Sequence, residues 1–151
     1  MTFKDRFEEL LQELSVEFGL PFHPDRRGAC KLKINDSFHV QLECDAPQEN
    51  LLIAAFICEI PPGKFRENIL KDALKSNGPF PTIGTLSYAE RNNQLALYAT
   101  LRLSNLNGKI LADFLTAFVE KAGSWRLGVE TGNTANLLPQ QAKRSGSIFG
   151  L

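Results

Sequence analysis

The sequence predicts an α+β domain with a mostly antiparallel sheet. Two groups of short segments alternate apolar and polar residues with the period of β-strands, and three longer segments space their apolar residues as helices do. Strands and helices do not alternate strictly along the chain, which favours antiparallel pairing. The predicted order is α-β-β-β-α-β-β-α, a five-stranded sheet with three helices.

The first predicted element is an amphipathic helix over residues 2–18. Its apolar residues recur at helical spacing and form one stripe. Thr2 is suited to cap the first turn, and Gly19 is suited to end the helix because glycine tolerates the left-handed conformation. Pro21 prevents the helix from continuing.

Three strands are predicted next. Residues 29–35 and 38–43 alternate in polarity, and the polar residues between them have the chemistry of a hairpin turn. Residues 51–60 are apolar on both faces. We therefore expect this segment to be a central strand that is covered on both sides.

The second half of the chain predicts a helix, a hairpin and a last helix. The helix spans residues 64–76, and strands follow over 82–90 and 94–103. The last helix begins near residues 104–107 and runs to about residue 126. We expect one domain over residues 1–130, followed by a flexible polar tail over 131–151.

Composition and charge exclude several function classes. The chain has 17 basic and 17 acidic residues among 151, and this zero net charge disfavours binding to nucleic acid or to an anionic membrane surface. It contains no run of about 20 apolar residues that would insert into a membrane. The charged N-terminus lacks the apolar run of a signal peptide. These features predict a cytoplasmic protein.

The sequence contains no recognisable catalytic or metal-binding motif. Its three cysteines are widely spaced, it has only two histidines, and no glycine pattern matches a nucleotide-binding loop. We therefore predict no metal, no cofactor and no catalytic residues. A small enzyme with a cleft assembled from His23, His39 and Cys44 remains the alternative.

The apolar surface is large for the predicted elements. Three helices are a small cover for a five-stranded sheet whose third strand is apolar on both faces. Exposed apolar patches of several hundred Å² usually mark interaction sites. The sequence therefore predicts that a second protein chain supplies part of the cover.

The C-terminal half resembles a known family. The second helix ends in LKSNG and is followed by PFPTIGTLSYAERNNQLALYATLRLSNLNGKILADFLTAFVEKAGSWR. The short polar turn between two strands, the alternating second strand and a last helix with a terminal Trp resemble class I chaperones of type III secretion, the CesT-like (Tir chaperone) family. The resemblance covers residues 2–127.

The resemblance implies a secretion-chaperone-like fold and a homodimer without enzymatic activity or cofactor in the bacterial cytoplasm. Such dimers bind the N-terminal chaperone-binding segment of secreted effector proteins and keep it extended and competent for secretion. A secretion ATPase or another chaperone is a further partner that the resemblance allows. A regulatory dimer without a secreted client remains an alternative.

Two groups of residues are predicted to form the binding surfaces. The first helix and the first hairpin supply the candidates for effector binding, which are Phe3, Phe7, Leu32, Ile34, Phe38 and Val40. We expect Leu86 and Tyr88 to share the outward face of Tyr98 and to meet the second helix at a twofold interface. The candidates for the dimer interface are Phe65, Ile69, Leu86, Tyr88 and Tyr98.

Overall fold

The computed structural model describes residues 5–78 and 82–138. Within these residues the chain forms three α-helices and five strands, and the sequence-predicted order of elements is confirmed. The elements are α1 (Arg6–Phe18), β1 (Ala29–Ile34), β2 (Phe38–Cys44), β3 (Asn50–Glu59), α2 (Lys64–Asn77), β4 (Thr85–Ala89), β5 (Gln94–Arg102) and α3 (Gly108–Thr131).

The five strands form one antiparallel sheet in the order β1-β2-β3-β5-β4. The hairpin between β1 and β2 turns at Asn35 and Asp36, which both have positive φ angles, a conformation that Asn and Asp tolerate best among residues with side chains. β3 and β5 are the longest strands and pair along nearly their whole length. β1 and β4 therefore form the two edges of the sheet.

The core lies between the sheet and the pair α1 and α3. Leu10, Leu11 and Leu14 of α1 are completely or almost completely buried, as are Phe118 and Trp125 of α3. They pack with the inward side chains of the central strands, which include Val40, Leu42, Leu51, Ile53, Leu95 and Leu97.

A polar network joins α1 to the start of α3. The guanidinium of Arg6 pairs with the carboxylate of Glu13 at 2.8 Å and donates to the carbonyl of Leu106 at 2.8 Å. The other oxygen of Glu13 accepts the backbone N–H of Gly108, the first residue of α3, at 2.9 Å. A carboxylate here satisfies a free N–H group at the positive end of the helix dipole.

α2 lies along the β4 edge of the sheet. The side-chain amide of Asn77 donates to the carbonyl of Leu86 and accepts its N–H, both at 2.8 Å. Arg66 stacks over the ring of Tyr88, with 4.6 Å between the guanidinium carbon and the ring centroid, and also donates to its hydroxyl. α2 thus satisfies the N–H and C=O groups of Leu86, which would otherwise be free to pair with another strand at this edge.

Several element boundaries differ from the sequence prediction. α1 is capped by the side chain of Asp5, which accepts the N–H of Glu8 at 2.9 Å, while the predicted cap Thr2 lies outside the described residues. α3 continues to Thr131, five residues beyond the predicted end, because Gly132 can adopt the left-handed conformation that ends it.

The first part of the predicted tail packs on the domain. Thr134 is buried and its hydroxyl donates to the carboxylate of Asp72 on α2 at 2.6 Å. Leu137 packs against the core and lies over Gly128, where an added Cβ would come within 2.7 Å of its side chain. The packed unit therefore reaches residue 138, and residues 139–151 lie outside the described residues.

The expectation that both faces of β3 are covered is wrong within one protomer. Inward residues such as Ile53 and Ile57 are completely buried, whereas Leu52 and Phe56 on the other face are exposed. The reason is that α1 and α3 both pack on the same side of the sheet, and α2 lies at the β4 edge instead of over the second face.

Candidate functional site

A groove runs along β1, between the end of α1 and the outer side of α3. It consists of two depressions of about 500 and 360 Å³ that share Ile34 and Val119 in their walls. We call the two together the β1 groove. The larger depression is its apolar end, lined mainly by Phe18, Leu20, Pro21, Phe22, Leu32 and Leu115. The smaller is its charged end, where Glu120, Arg126 and Glu130 contribute.

The wall of the apolar end is fixed by the way α1 ends. Gly19 adopts the left-handed conformation, and the backbone N–H of Leu20 donates to the carbonyl of Ser15 at 3.2 Å. The hydroxyl of Ser15 accepts the N–H of Phe22 at 3.0 Å. Phe18 and Phe22 then meet edge to face with 6.0 Å between ring centroids. The loop after α1 is thereby held as an apolar wall.

The β1 edge of the sheet is open beside this groove. Among the described strands, β1 pairs only with β2. At Ala29 the loop before β1 closes the edge, because the Asp25 carboxylate accepts the N–H of Ala29 at 3.0 Å and the N–H of Asp25 donates to its carbonyl at 2.7 Å. Hydrogen bonds from the backbone of Ala29 and Arg27 lower the pKa of Asp25.

The alternation of an antiparallel ladder then determines which backbone groups remain available. Because Ala29 points its N–H and C=O away from β2, Lys31 and Lys33 must do the same. Cys30, Leu32 and Ile34 direct theirs toward β2. The free edge therefore presents the N–H and C=O groups of the two lysines.

The charged end of the groove is anchored by Arg126. Its guanidinium donates to the carbonyl of Ile57 at 2.7 Å and pairs with Glu130 at 3.1 Å. Ile57 is the extra residue of a bulge in β3, so its carbonyl is available to this side chain. Glu120 lies on the same wall, so the charged end is lined by two acidic residues and one basic residue and has an excess of negative charge.

The candidates for effector binding divide into three groups. Leu32 and Ile34 are partly buried and line the groove. Phe38 contributes to the charged end with only a small exposed area. Phe7 and Val40 are core residues that lie beneath the surface, because the same apolar stripes also fill the interior. Phe3 lies outside the described residues.

The sequence analysis missed several groove residues. Phe18, Leu20 and Phe22 form its wall, although the end of α1 and the loop after it were treated only as a helix end and a connection. Their signal was the cluster of large apolar residues around Gly19, where a polar turn would be expected.

A second apolar surface lies on the face of the sheet opposite α1 and α3. Leu52, Phe56 and Tyr98 expose 37, 46 and 42% of their surface there. Ala54 pairs with Tyr98, and Phe56 pairs with Ala96, so the two alanines bring the large side chains together across β3 and β5. We call this surface the open sheet face.

The candidates for the dimer interface lie in different environments. Ile69 and Leu86 are buried inside the protomer, and Tyr88 is held under Arg66. Phe65 packs against Gly132 and keeps about a third of its surface exposed. Tyr98 alone lies on the open sheet face.

The expected grouping of Leu86 and Tyr88 with Tyr98 is corrected by the strand register. Leu86 pairs with Leu97 and Tyr88 with Leu95, so both point toward the core. The residue opposite Tyr98 is Thr85.

His39 and Cys44, two residues of the alternative catalytic cleft, do not meet. His39 and Cys44 are five residues apart on β2, which places them about 17 Å apart and on opposite faces. Burial and the neighbouring carboxylates of Asp45 and Asp5 raise the pKa of Cys44 to about 12. Among the described residues no group of three or more His, Cys, Asp and Glu side chains could hold a metal ion.

The sequence profile of the Tir chaperone protein (CesT) family matches residues 9–126. The chain belongs to this family. The match spans all three helices and all five strands except the first turn of α1 and the end of α3, and it confirms the relationship that the sequence predicted. Membership in the CesT family makes the protein a chaperone of the type III secretion class.

Solved structures have the same fold. A chain in the HopA1–SchA chaperone–effector complex is 22% identical, with a TM-score of 0.64 over 80% of this chain and 93% of that chain. A chain in the structure of the Yersinia pestis type III secretion chaperone SycH with a fragment of YscM2 is 20% identical. Its TM-score is 0.60, and the match covers 77% of this chain and 96% of that chain.

A third similar fold occurs in the ExoU–SpcU complex of the Pseudomonas aeruginosa type III secretion system. The matching chain is 16% identical with a TM-score of 0.63, and the match covers 81% of this chain and 98% of that chain. No curated protein sequence matches the chain significantly in a direct comparison. No helix within the described residues is long and apolar enough to cross a membrane.

Proposed function

We propose that this CesT-family chaperone binds the N-terminal segment of one or more secreted effector proteins in the β1 groove and keeps it extended for secretion. The observation that carries the proposal is the open edge of β1 beside an apolar groove. A similar fold occurs in structures of chaperone–effector complexes, which supports the same class of partner here.

Binding by strand addition follows from the chemistry of this edge. An extended client segment can pair with the free N–H and C=O groups of Lys31 and Lys33 through its own backbone, which demands little of its sequence. Its side chains on one face then enter the apolar end of the groove. Burial of apolar surface provides the free energy, so no nucleotide is needed.

Ordering an extended segment costs conformational entropy at every residue. A client that remains extended must therefore contact a large surface, as disordered segments do when they order on binding. The β1 groove provides two adjoining depressions for this purpose, and a dimer would present two copies of the groove to one client.

We further propose that the chaperone is a homodimer that uses the open sheet face. Leu52, Phe56 and Tyr98 form an exposed apolar surface on a face that the protomer itself does not cover. A twofold axis would bury the same patch on both subunits. This face replaces Leu86, Tyr88 and Ile69 as the source of interface side chains.

The proposal places the protein in the bacterial cytoplasm, where an effector is synthesised, and gives it no enzymatic activity. It extends to contact with a secretion ATPase or another chaperone when the client is delivered. The raised pKa values of the thiols support a role without nucleophilic cysteine chemistry.

The test is co-expression of the chaperone with N-terminal segments of secreted proteins from its host. We expect one segment to co-purify, with light scattering giving two chaperone chains for each client. Leu20→Glu should abolish this complex because Leu20 lines the apolar end with 57% of its surface exposed.

The matched control is Val16→Glu, which adds the same charge one turn earlier. Val16 is 73% exposed and does not line the groove. Undiminished binding by Leu20→Glu would contradict the groove assignment. A stable dimer that binds no secreted segment would support the alternative of a regulatory dimer without a secreted client.

A further inference from the structure

The proposed function leaves open which client segments the groove prefers, and the charges along β1 bear on this question. Lys31 and Lys33 are two residues apart, so their side chains lie on the same face of the strand. Leu32 and Ile34 alternate with them, and all four residues contribute to the lining of the larger depression. One edge strand thus carries a row of positive charge and a row of apolar side chains.

No carboxylate lies directly opposite either lysine on β2. Lys31 lies opposite Gln41 and Lys33 lies opposite His39 on β2. Within the described residues, Lys33 pairs with Asp36 at the hairpin tip, where both side chains are highly exposed and the pair is therefore weak. Asp25 in the loop before β1 is the carboxylate near Lys31, and the charge of Lys31 adds to the hydrogen bonds from Ala29 and Arg27 that lower the pKa of Asp25. The position beyond β1, where a client strand would lie, is the open side of both lysines.

A client strand paired with β1 would have two sets of positions, one opposite the lysines and one opposite the apolar residues. Residues directly opposite Lys31 and Lys33 would face the lysine side chains at the short distance of cross-strand neighbours. Residues between them would lie opposite Leu32 and next to the apolar end of the groove, where Phe22 and Leu115 also contribute. The two rows of β1 therefore select two different kinds of client side chain.

From this arrangement we infer that the preferred client segment is an extended strand with acidic residues at alternate positions, facing Lys31 and Lys33, and apolar residues between them, facing the groove. The inference rests on the proposed function and adds a charge pattern to the client. The lysines act as specificity determinants, since the backbone pairing alone accepts most sequences.

The expected effect is a preference and not an absolute requirement. One opposite-charge cross-strand pair changes an equilibrium constant by roughly 1.5- to 5-fold, and a like-charge pair opposes binding by a similar factor. Two lysines should therefore separate an acidic segment from a basic one by about fivefold or more. The separation should shrink at high salt because the pairs are exposed.

The experiment uses three labelled peptides with identical valine and isoleucine positions. The alternate positions are aspartate, serine or lysine. Fluorescence anisotropy with the full chain at low salt should rank them in that order of affinity. The double variant Lys31→Glu/Lys33→Glu should reverse the ranking of the aspartate and lysine peptides.

The matched control is Lys71→Glu/Lys109→Glu, which changes the net charge equally. Both control lysines are well exposed on helices away from β1, in pairs with Glu67 and Asp113. This variant should keep the original ranking. A similar loss of preference in the control would overturn the inference, because it would show that net charge decides.

The two levels of the proposal fail differently. If all three peptides bind equally and Leu20→Glu abolishes their binding, the groove is correct and the charge pattern is wrong. If none of the peptides binds, the charge inference and the strand-addition assignment are both overturned, whereas a client that still binds elsewhere preserves the chaperone function.

Discussion

The cysteine thiols show how the fold changes the ionisation of single residues. Burial raises the pKa of Cys44 to about 12, with the carboxylates of Asp45 and Asp5 acting in the same direction. Burial also raises the pKa of Cys30 to about 11, together with the charge of Asp25. Burial raises the pKa of Cys58 as well, against the opposing effect of Arg126.

These shifts predict that the folded protein protects its thiols from alkylation. At pH 9 an ordinary thiol is half ionised, whereas the thiolate fraction of Cys30 and Cys44 should be lower by roughly 50-fold or more. Iodoacetamide labelling, followed by mass spectrometry, should be slower by at least this factor in the native protein than in urea. A cysteine that reacts faster when folded would favour the enzyme alternative.

The same shifts fix the direction of a pH effect on stability. Well below pH 9 the thiols are protonated in both the folded and the unfolded protein, so they make no contribution to the pH dependence of stability. Between pH 9 and about 12 the unfolded chain releases thiol protons that the folded chain retains. The free energy of unfolding should therefore decrease as the pH rises through this interval.

The face of the sheet to which a side chain points was predictable where it depends only on the alternation of residues along a strand. The inward direction of Leu95 and Leu97 follows from alternation, and so does the outward direction of Tyr98. The partners of Tyr98 were not predictable, because the register between β4 and β5 depends on the whole hairpin. The actual register puts Thr85 opposite Tyr98 and turns Leu86 into the core.

At the scale of elements, the contact between α1 and α3 depends on a glycine. Gly108 is the first residue of α3, and an added Cβ would lie 2.7 Å from Cβ and from the backbone carbonyl of Glu13. Backbone atoms of a packed helix cannot move aside cheaply. Gly108→Ala should lower the free energy of unfolding by about 1–3 kcal/mol, because α3 must shift away from α1.

Gly123 provides the matched control within the same helix. It lies in the interior of α3, and no described atom would come within 4 Å of an added Cβ. Gly123→Ala should raise the free energy of unfolding by about 0.5–1 kcal/mol through helix propensity. Urea denaturation measures both changes, and equal effects of the two substitutions would contradict this view of the α1–α3 contact.

Elements with strong local signals were predicted well, and those fixed by tertiary contacts were not. Asn107 caps α3 with its side chain, which accepts the N–H of Ile110 at 2.8 Å, and the sequence placed the start of that helix correctly. The segment after α3 appeared polar and was assigned to a flexible tail. Its order comes from contacts with two helices, Thr134 with Asp72 of α2 and Leu137 with Gly128 of α3, which the polar composition of the segment does not reveal.

The whole molecule is asymmetric about its sheet. Within the described residues, α1 and α3 cover one face and α2 lies along the β4 edge, whereas no further element packs on the β1 edge or the open sheet face. The composition of β3 indicated that a further surface needs cover, because a strand that is apolar on both faces requires cover on both. The protomer provides that cover on one side, which is why Phe56 and Tyr98 remain exposed.

This asymmetry predicts the behaviour of charge substitutions on the open sheet face. Tyr98→Asp and Phe56→Asp should leave the protomer folded, since each side chain is more than two-fifths exposed. Both should convert the proposed dimer to a monomer, because a twofold axis repeats each new charge within one apolar interface. Light scattering after size exclusion measures the mass, and circular dichroism verifies the fold.

Two further substitutions separate loss of the dimer from loss of the fold. Leu127→Asp places the same charge on an exposed apolar residue of α3, away from the open sheet face, and should remain dimeric. Ile69→Asp should unfold the protein, because it puts an unpaired charge at a site that is 1% exposed within the protomer. A wild-type monomer, or a dimer that survives both Tyr98→Asp and Phe56→Asp, would show that the open sheet face is not the subunit interface.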